Sequence, residues 1–128
     1  MTSIEVIEAY SDALAKGDTA AVFSYFSPDA KWHQPGSNRF SGTKTGIEAI
    51  AQFLGEMMEV TKGTLQIRVK GPMMSNGNIV AFPVRFIAEN GDKTIDMDGI
   101  DIYEVVNEKI VSVMTFSQDQ AGEDGFWK

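Results

Sequence analysis

Cysteine is absent from the 128 residues, which excludes disulfides, thiolate metal sites and thiol nucleophiles and leaves the redox compartment open. Histidine occurs once, at His33, and the carboxylates fall at no metal-ligand spacing, so no metal is expected. No apolar run reaches the ~20 residues that span a bilayer, and no basic-then-apolar start marks a secretory signal; the chain reads as cytoplasmic. Basic residues are few, 11 Lys and Arg against 18 Asp and Glu for a net charge of −7. They are scattered (Lys16, Arg39, Lys62, Arg68, Lys93, Lys109), so neither nucleic acid nor membrane is an expected partner. A phosphate-cradling glycine loop and a nucleophile elbow are also missing, and no cofactor is expected.

What remains is a globular composition, 43 % hydrophobic, in a chain sized for one domain, residues 1–128. Thr2 and Glu5 form a capping-box pattern ahead of Ile7, Tyr10 and Leu14, with Val6 and Ala13 widening the stripe and Gly17 ending the helix. Asp18 is placed to cap a short second helix, "TAAVFSYF", closed by Pro28. Thr45 and Glu48 repeat the capping pattern before a third helix, apolar at Ile47, Ile50, Leu54 and Met57 or Met58.

From Gly63 the period changes to alternation. "TLQIRVKG", "NIVAFPVRFIAE", "KTIDMDGIDIYEVV" and "KIVSVMTFSQD" read as strands joined by "SNGN", "NGD" and "NE". Asn-Gly tolerates positive φ and is a strong hairpin signal, so an antiparallel meander is expected. Pro83 within its strand points to an edge or a bulge. Helices ahead of such a sheet give an α+β domain, and a sheet curved around them encloses an apolar cavity, the default ligand site.

The element order, the "GD" after helix one, and the segments "FSPDAKWHQPG", "SGTKTGIEAI" and "IDMDGIDIYEV" resemble the nuclear transport factor 2-like superfamily over nearly the whole chain. More narrowly, they resemble the ketosteroid isomerases and the SnoaL-like polyketide cyclases. The resemblance implies a cone-shaped, cystatin-like α+β fold, a curved antiparallel sheet wrapped around three N-terminal helices. It also implies pairing into a homodimer through the outer face of the sheet. In ketosteroid isomerases a helix-one tyrosine and a protonated late-strand aspartic acid donate hydrogen bonds to the dienolate oxygen. Tyr10, seven residues before Gly17, and Asp101, in the "GID" step, stand at those places. The family's base, an aspartate just before a proline on the first strand, is here Gln34. Phe26 and Leu54 stand where the family has two further tyrosines.

Strand alternation puts Ala30, Trp32 and Gln34 on one face and Lys31 and His33 on the other. Trp32 offers an apolar wall and Gln34 a donor and an acceptor, as substrate contacts or as core and loop anchors. An imidazole is the side chain whose unperturbed titration falls near neutral pH, so His33 is a candidate base if a twist at Pro35 turns it inward; otherwise it faces outward or a subunit interface. In "IDMDGIDIY", Asp96 and Asp98 alternate with Ile100 and Ile102, whereas Asp101 shares a face with Ile95, Met97 and Tyr103. An acid among such side chains acquires a raised pKa, which makes Asp101 the leading catalytic candidate, with Asp98 as a substrate contact or an alternative base. Asp119 is a further base candidate, since SnoaL-like cyclases carry an acid in that region. Two functions follow. The first is a cofactor-independent enzyme acting through an enolate on a small hydrophobic or carbonyl-containing ligand, by isomerisation or aldol-type cyclisation. The second is a non-catalytic small-molecule binding or dimeric assembly module.

Overall fold

The computed structural model describes residues 1–128. In chain order the elements are α1 (Ser3–Lys16), α2 (Thr19–Ser24), β1 (Phe26–Gln34), β2 (Gly42–Thr45), α3 (Ile47–Val60) and β3 (Gln66–Val69). There follow β4 (Met74–Asn76), β5 (Ile79–Asn90), β6 (Lys93–Val106), β7 (Lys109–Ser117) and α4 (Gln120–Phe126). The capping box of α1 is formed, with the Glu5 N–H donating to Thr2 Oγ1 at 3.1 Å and the Thr2 N–H to the Glu5 carboxylate at 2.8 Å. Gly17 ends the helix at φ 69°, a conformation that glycine adopts without penalty. The helix buries Val6, Ile7, Tyr10 and Ala13, while Leu14 lies half-exposed at its rim.

Two local expectations are corrected. The second capping box does not form: Thr45 ends β2, and α3 starts from Gly46 at φ 93° without a side-chain cap. The second helix stops at Ser24, and Phe26 and Pro28 belong to β1. There Phe26 is buried in the core, and the strand's pairing outweighs the helical pattern of a short segment.

The sheet runs β2-β1-β7-β6-β5-β3, with β4 also on β5. Its hairpins fall at Gly77–Asn78, Gly91–Asp92 and Asn107–Glu108, where Gly77, Gly91, Asn107 and Glu108 have φ between 51° and 66°. The expected antiparallel sheet is mixed in one place: β1 lies parallel to β7, with Trp32 opposite Val113. Pro83 is not on an edge strand, because β5 pairs with β6 on one side and with β3 and β4 in succession on the other. The chain between β3 and β4 breaks away opposite Pro83, whose carbonyl accepts from the Lys70 N–H at 2.9 Å. The missing N–H of the proline therefore faces a gap in pairing.

Helices α1 to α3 cover the concave side of the sheet, and α4 closes one end, where Trp127 packs edge-on against Phe40 at 5.0 Å. The convex side carries a row of exposed apolar residues, Met74, Ile79, Ile100, Met114 and Phe116. No helix is long and apolar enough to cross a membrane.

Candidate functional site

Between the concave face, α1 and α3 lies a cavity of about 830 Å³. Its floor comes from alternate residues of three strands. Phe82 and Val84 of β5, Asp101 and Tyr103 of β6, and Thr115 and Ser117 of β7 all point inward because their register keeps them on one face. Tyr10 descends from α1, and Trp32 and Gln34 come from the end of β1. Leu14, Leu54, Met58 and Ile67 form the more open end.

Asp101 stands between Phe82 and Thr115 on the neighbouring strands and is 7 % exposed. Burial alone, with no protein donor to offset it, pushes its carboxyl up to about 7. Such a group exists in both protonation states near neutrality and can donate as well as accept. Next to it along β6, the Tyr103 hydroxyl donates to the Tyr10 oxygen at 3.2 Å. That arrangement leaves the Tyr10 proton free to be given elsewhere. Burial raises both phenols, and the neighbouring Asp101 charge adds to the effect. Phe82 stacks on Tyr103 at 5.8 Å, and Trp32 meets the same ring edge-on at 6.5 Å, giving the site a flat, rigid wall.

A second polar group occupies the α4 end. The Trp32 indole donates to Gln34 Oε1 at 3.0 Å, and Thr115 Oγ1 donates to the same oxygen at 3.5 Å. Gln34 Nε2 in turn donates to Glu123 Oε2 at 3.5 Å. An indole can only donate and a carboxylate can only accept, so the orientation of the Gln34 amide is fixed. Glu123 is 4 % exposed and also receives the Trp127 indole at 3.1 Å, Gln120 at 3.2 Å and the Ser117 hydroxyl.

Among the residues singled out from sequence, Tyr10, Asp101, Trp32 and Gln34 therefore come together around one cavity. His33, Asp98 and Asp119 do not join them. His33 lies on the convex side, with Nδ1 2.9 Å from Thr43 Oγ1, so the strand keeps its alternation and Pro35 does not turn the ring inward. Asp98 is on the convex side too, paired with Lys70 at 2.8 Å and Arg85 at 2.9 Å, cations that hold its carboxyl below the ordinary range. Asp119 caps α4 by accepting from the Gly122 N–H at 3.0 Å. Tyr103, Thr115, Ser117 and Glu123 also line the cavity, and the sequence alone does not mark them as site residues. The alternation that selects Asp101 also carries Tyr103, whereas Glu123 sits in an aperiodic polar segment. No group of three or more His, Asp or Glu side chains is gathered as a metal site.

The family described as a SnoaL-like domain matches residues 7–113. A protein of unknown function with a cystatin-like fold from Xanthomonas campestris superposes with a TM-score of 0.94 at 39 % identity, over 99 % of this chain and 98 % of that one. Bal32a, from a soil-derived mobile gene cassette, gives 0.93 at 26 % identity, over 98 % and 96 %. An NTF2-like protein from Burkholderia xenovorans LB400 shares the fold at 0.81 and 18 % identity, over 98 % and 95 %.

Proposed function

The chain belongs to the SnoaL-like domain family within the NTF2-like superfamily, and on that premise we propose a cofactor-independent enzyme that works through an enolate. Its substrate is a small hydrophobic carbonyl compound, and its reaction is isomerisation or aldol-type ring closure. One observation carries this reading: a buried carboxyl group without a protein partner, Asp101, shares an apolar cavity with a phenol pair whose outer proton is free. Two preorganised donors in a cavity with apolar walls stabilise an oxyanion that develops between them, each by about 3 kcal/mol of barrier. Trp32 and Phe82 hold the flat body of the substrate, and Gln34 fixes its polar end.

A β,γ-unsaturated steroid ketone is the probe, since its conversion to the conjugated enone is followed by ultraviolet absorbance. Wild-type protein is expected to accelerate the conversion over buffer, and Tyr10→Phe to lower kcat by roughly 100-fold, the equivalent of one lost donor. Quenching of the tryptophan fluorescence without turnover favours the second reading, a binding module. That reading draws on Gln34, an amide without an accessible pKa at the place where related isomerases keep a base. In either case we propose that two copies pair through the convex face of the sheet.

A further inference from the structure

An enolate mechanism needs a base, and the three candidates legible in the sequence, His33, Asp98 and Asp119, all lie outside the cavity. We infer that Glu123, on α4, is that base; the inference rests on the enolate reading. Besides Asp101, it is the buried carboxylate of the cavity wall. Its Oε2 lies 3.5 Å from Gln34 Nε2, so the acid comes from the C-terminal helix to the spot where strand β1 presents an amide.

Three features suit it to this work. All four donors to Glu123, namely Gln34, Trp127, Gln120 and Ser117, are neutral, and no lysine or arginine pairs with it. Its charge is therefore solvated by dipoles but not cancelled; because the four donors occupy its lone-pair directions, the substrate C–H reaches Oε2 in place of the Gln34 amide, whose 3.5 Å contact is the longest. The four donors come from β1, β7, α4 and the residue that follows α4, so the carboxylate is locked in place with little freedom to lose. Ser117 is a hydroxyl that rotates, donating to the carboxylate and accepting from the acid. Protonated Glu123 thus keeps a partner at Oε1.

The step balances. The C–H bond next to the carbonyl breaks, and its electron pair becomes the enolate double bond. The carbonyl π pair moves onto oxygen, facing Tyr10 and protonated Asp101, and an O–H bond forms on Glu123. Return of that proton to the far carbon restores the carbonyl and the carboxylate. One negative charge travels from Glu123 to the enolate oxygen and back, so the cavity never holds a second.

The test follows exchange of the α-protons of 2-tetralone, an uncharged bicyclic ketone, by NMR in D₂O. Wild-type protein should accelerate exchange over buffer, and the isosteric Glu123→Gln should lower the enzymatic rate by roughly 100-fold or more. Binding of 2-tetralone, read from tryptophan fluorescence, should be retained in that variant. Exchange by Glu123→Gln at the wild-type rate overturns the assignment while leaving the enolate reading intact. Joint loss of exchange and binding points to a structural role, and the double variant Gln34→Glu with Glu123→Gln then decides. Recovery of exchange shows that a carboxylate is required at this spot, and no recovery overturns the assignment. Wild-type protein no faster than buffer removes the enolate reading and the base with it.

Discussion

Asp101 is the residue whose cost the fold bears most directly. Its folded-state pKa lies near 7, against an ordinary value of 3.8. A raised carboxyl pKa penalises the folded protein where the unfolded chain is ionised and the native group is not. Stability from this residue is thus complete below about pH 4 and declines as pH rises towards 7. Asp101→Asn should match the wild type in denaturant at pH 4 and exceed it at pH 8 by on the order of 4 kcal/mol. A pH-independent difference between the two proteins would contradict the burial argument. Alternation along β6 was enough to separate Asp101 from Asp96 and Asp98, because a one-residue offset moves a side chain through the sheet. Glu123 had no such mark. It stands among Asp119, Asp124 and two glycines, and only its three-dimensional enclosure distinguishes it from a solvated acid.

Among the elements, the Asn-Gly turns and long alternating runs made β5, β6 and β7 legible, whereas β2 and β4, four and three residues long, are too short to show a period. Helix α4 contains Gly122, Glu123, Asp124 and Gly125 and lacks an apolar stripe; its place is set by tertiary contacts. Asp124 accepts from the Ser37 N–H at 3.1 Å and from Asn38 Nδ2 at 2.8 Å, tying α4 to the loop after β1. Gly36 lies under this junction at φ 87°, where a Cβ would come within 2.2 Å of Asp124 Oδ1. Gly36→Ala should therefore unseat the loop from α4 and cost about 2 kcal/mol in urea denaturation. Gly55→Ala, in α3 with nothing within 4 Å of the added methyl group, should stabilise by roughly 0.5–1 kcal/mol through helix propensity. Equal effects of the two substitutions would argue against a packed loop and helix.

On the scale of the whole molecule, helices cover the concave side and its cavity, whereas the convex side exposes Met74, Ile79, Ile100, Met114 and Phe116, each at 42–64 % of full exposure. A contiguous apolar row of this kind is unusual on a monomer's surface. Sedimentation equilibrium should find the wild type as a dimer and Phe116→Asp as a monomer with an unchanged far-ultraviolet spectrum. A monomeric wild type would exclude pairing through this face. In β5 the sequence alternates apolar residues onto both faces, Val80, Phe82, Val84 and Phe86 on one and Ile79, Ala81 and Ile87 on the other, but the parallel contact of β1 with β7 has no such mark, since no local period reports a partner so distant in the chain. That contact also sets an order of events during synthesis. Phe26 emerges from the ribosome long before Ile110, its partner, so β1 waits beside β2 with one edge bare until almost the entire chain is made. A nascent chain halted before Lys109 presents that edge to its neighbours, which makes the last strand the one whose arrival ends the risk of aggregation.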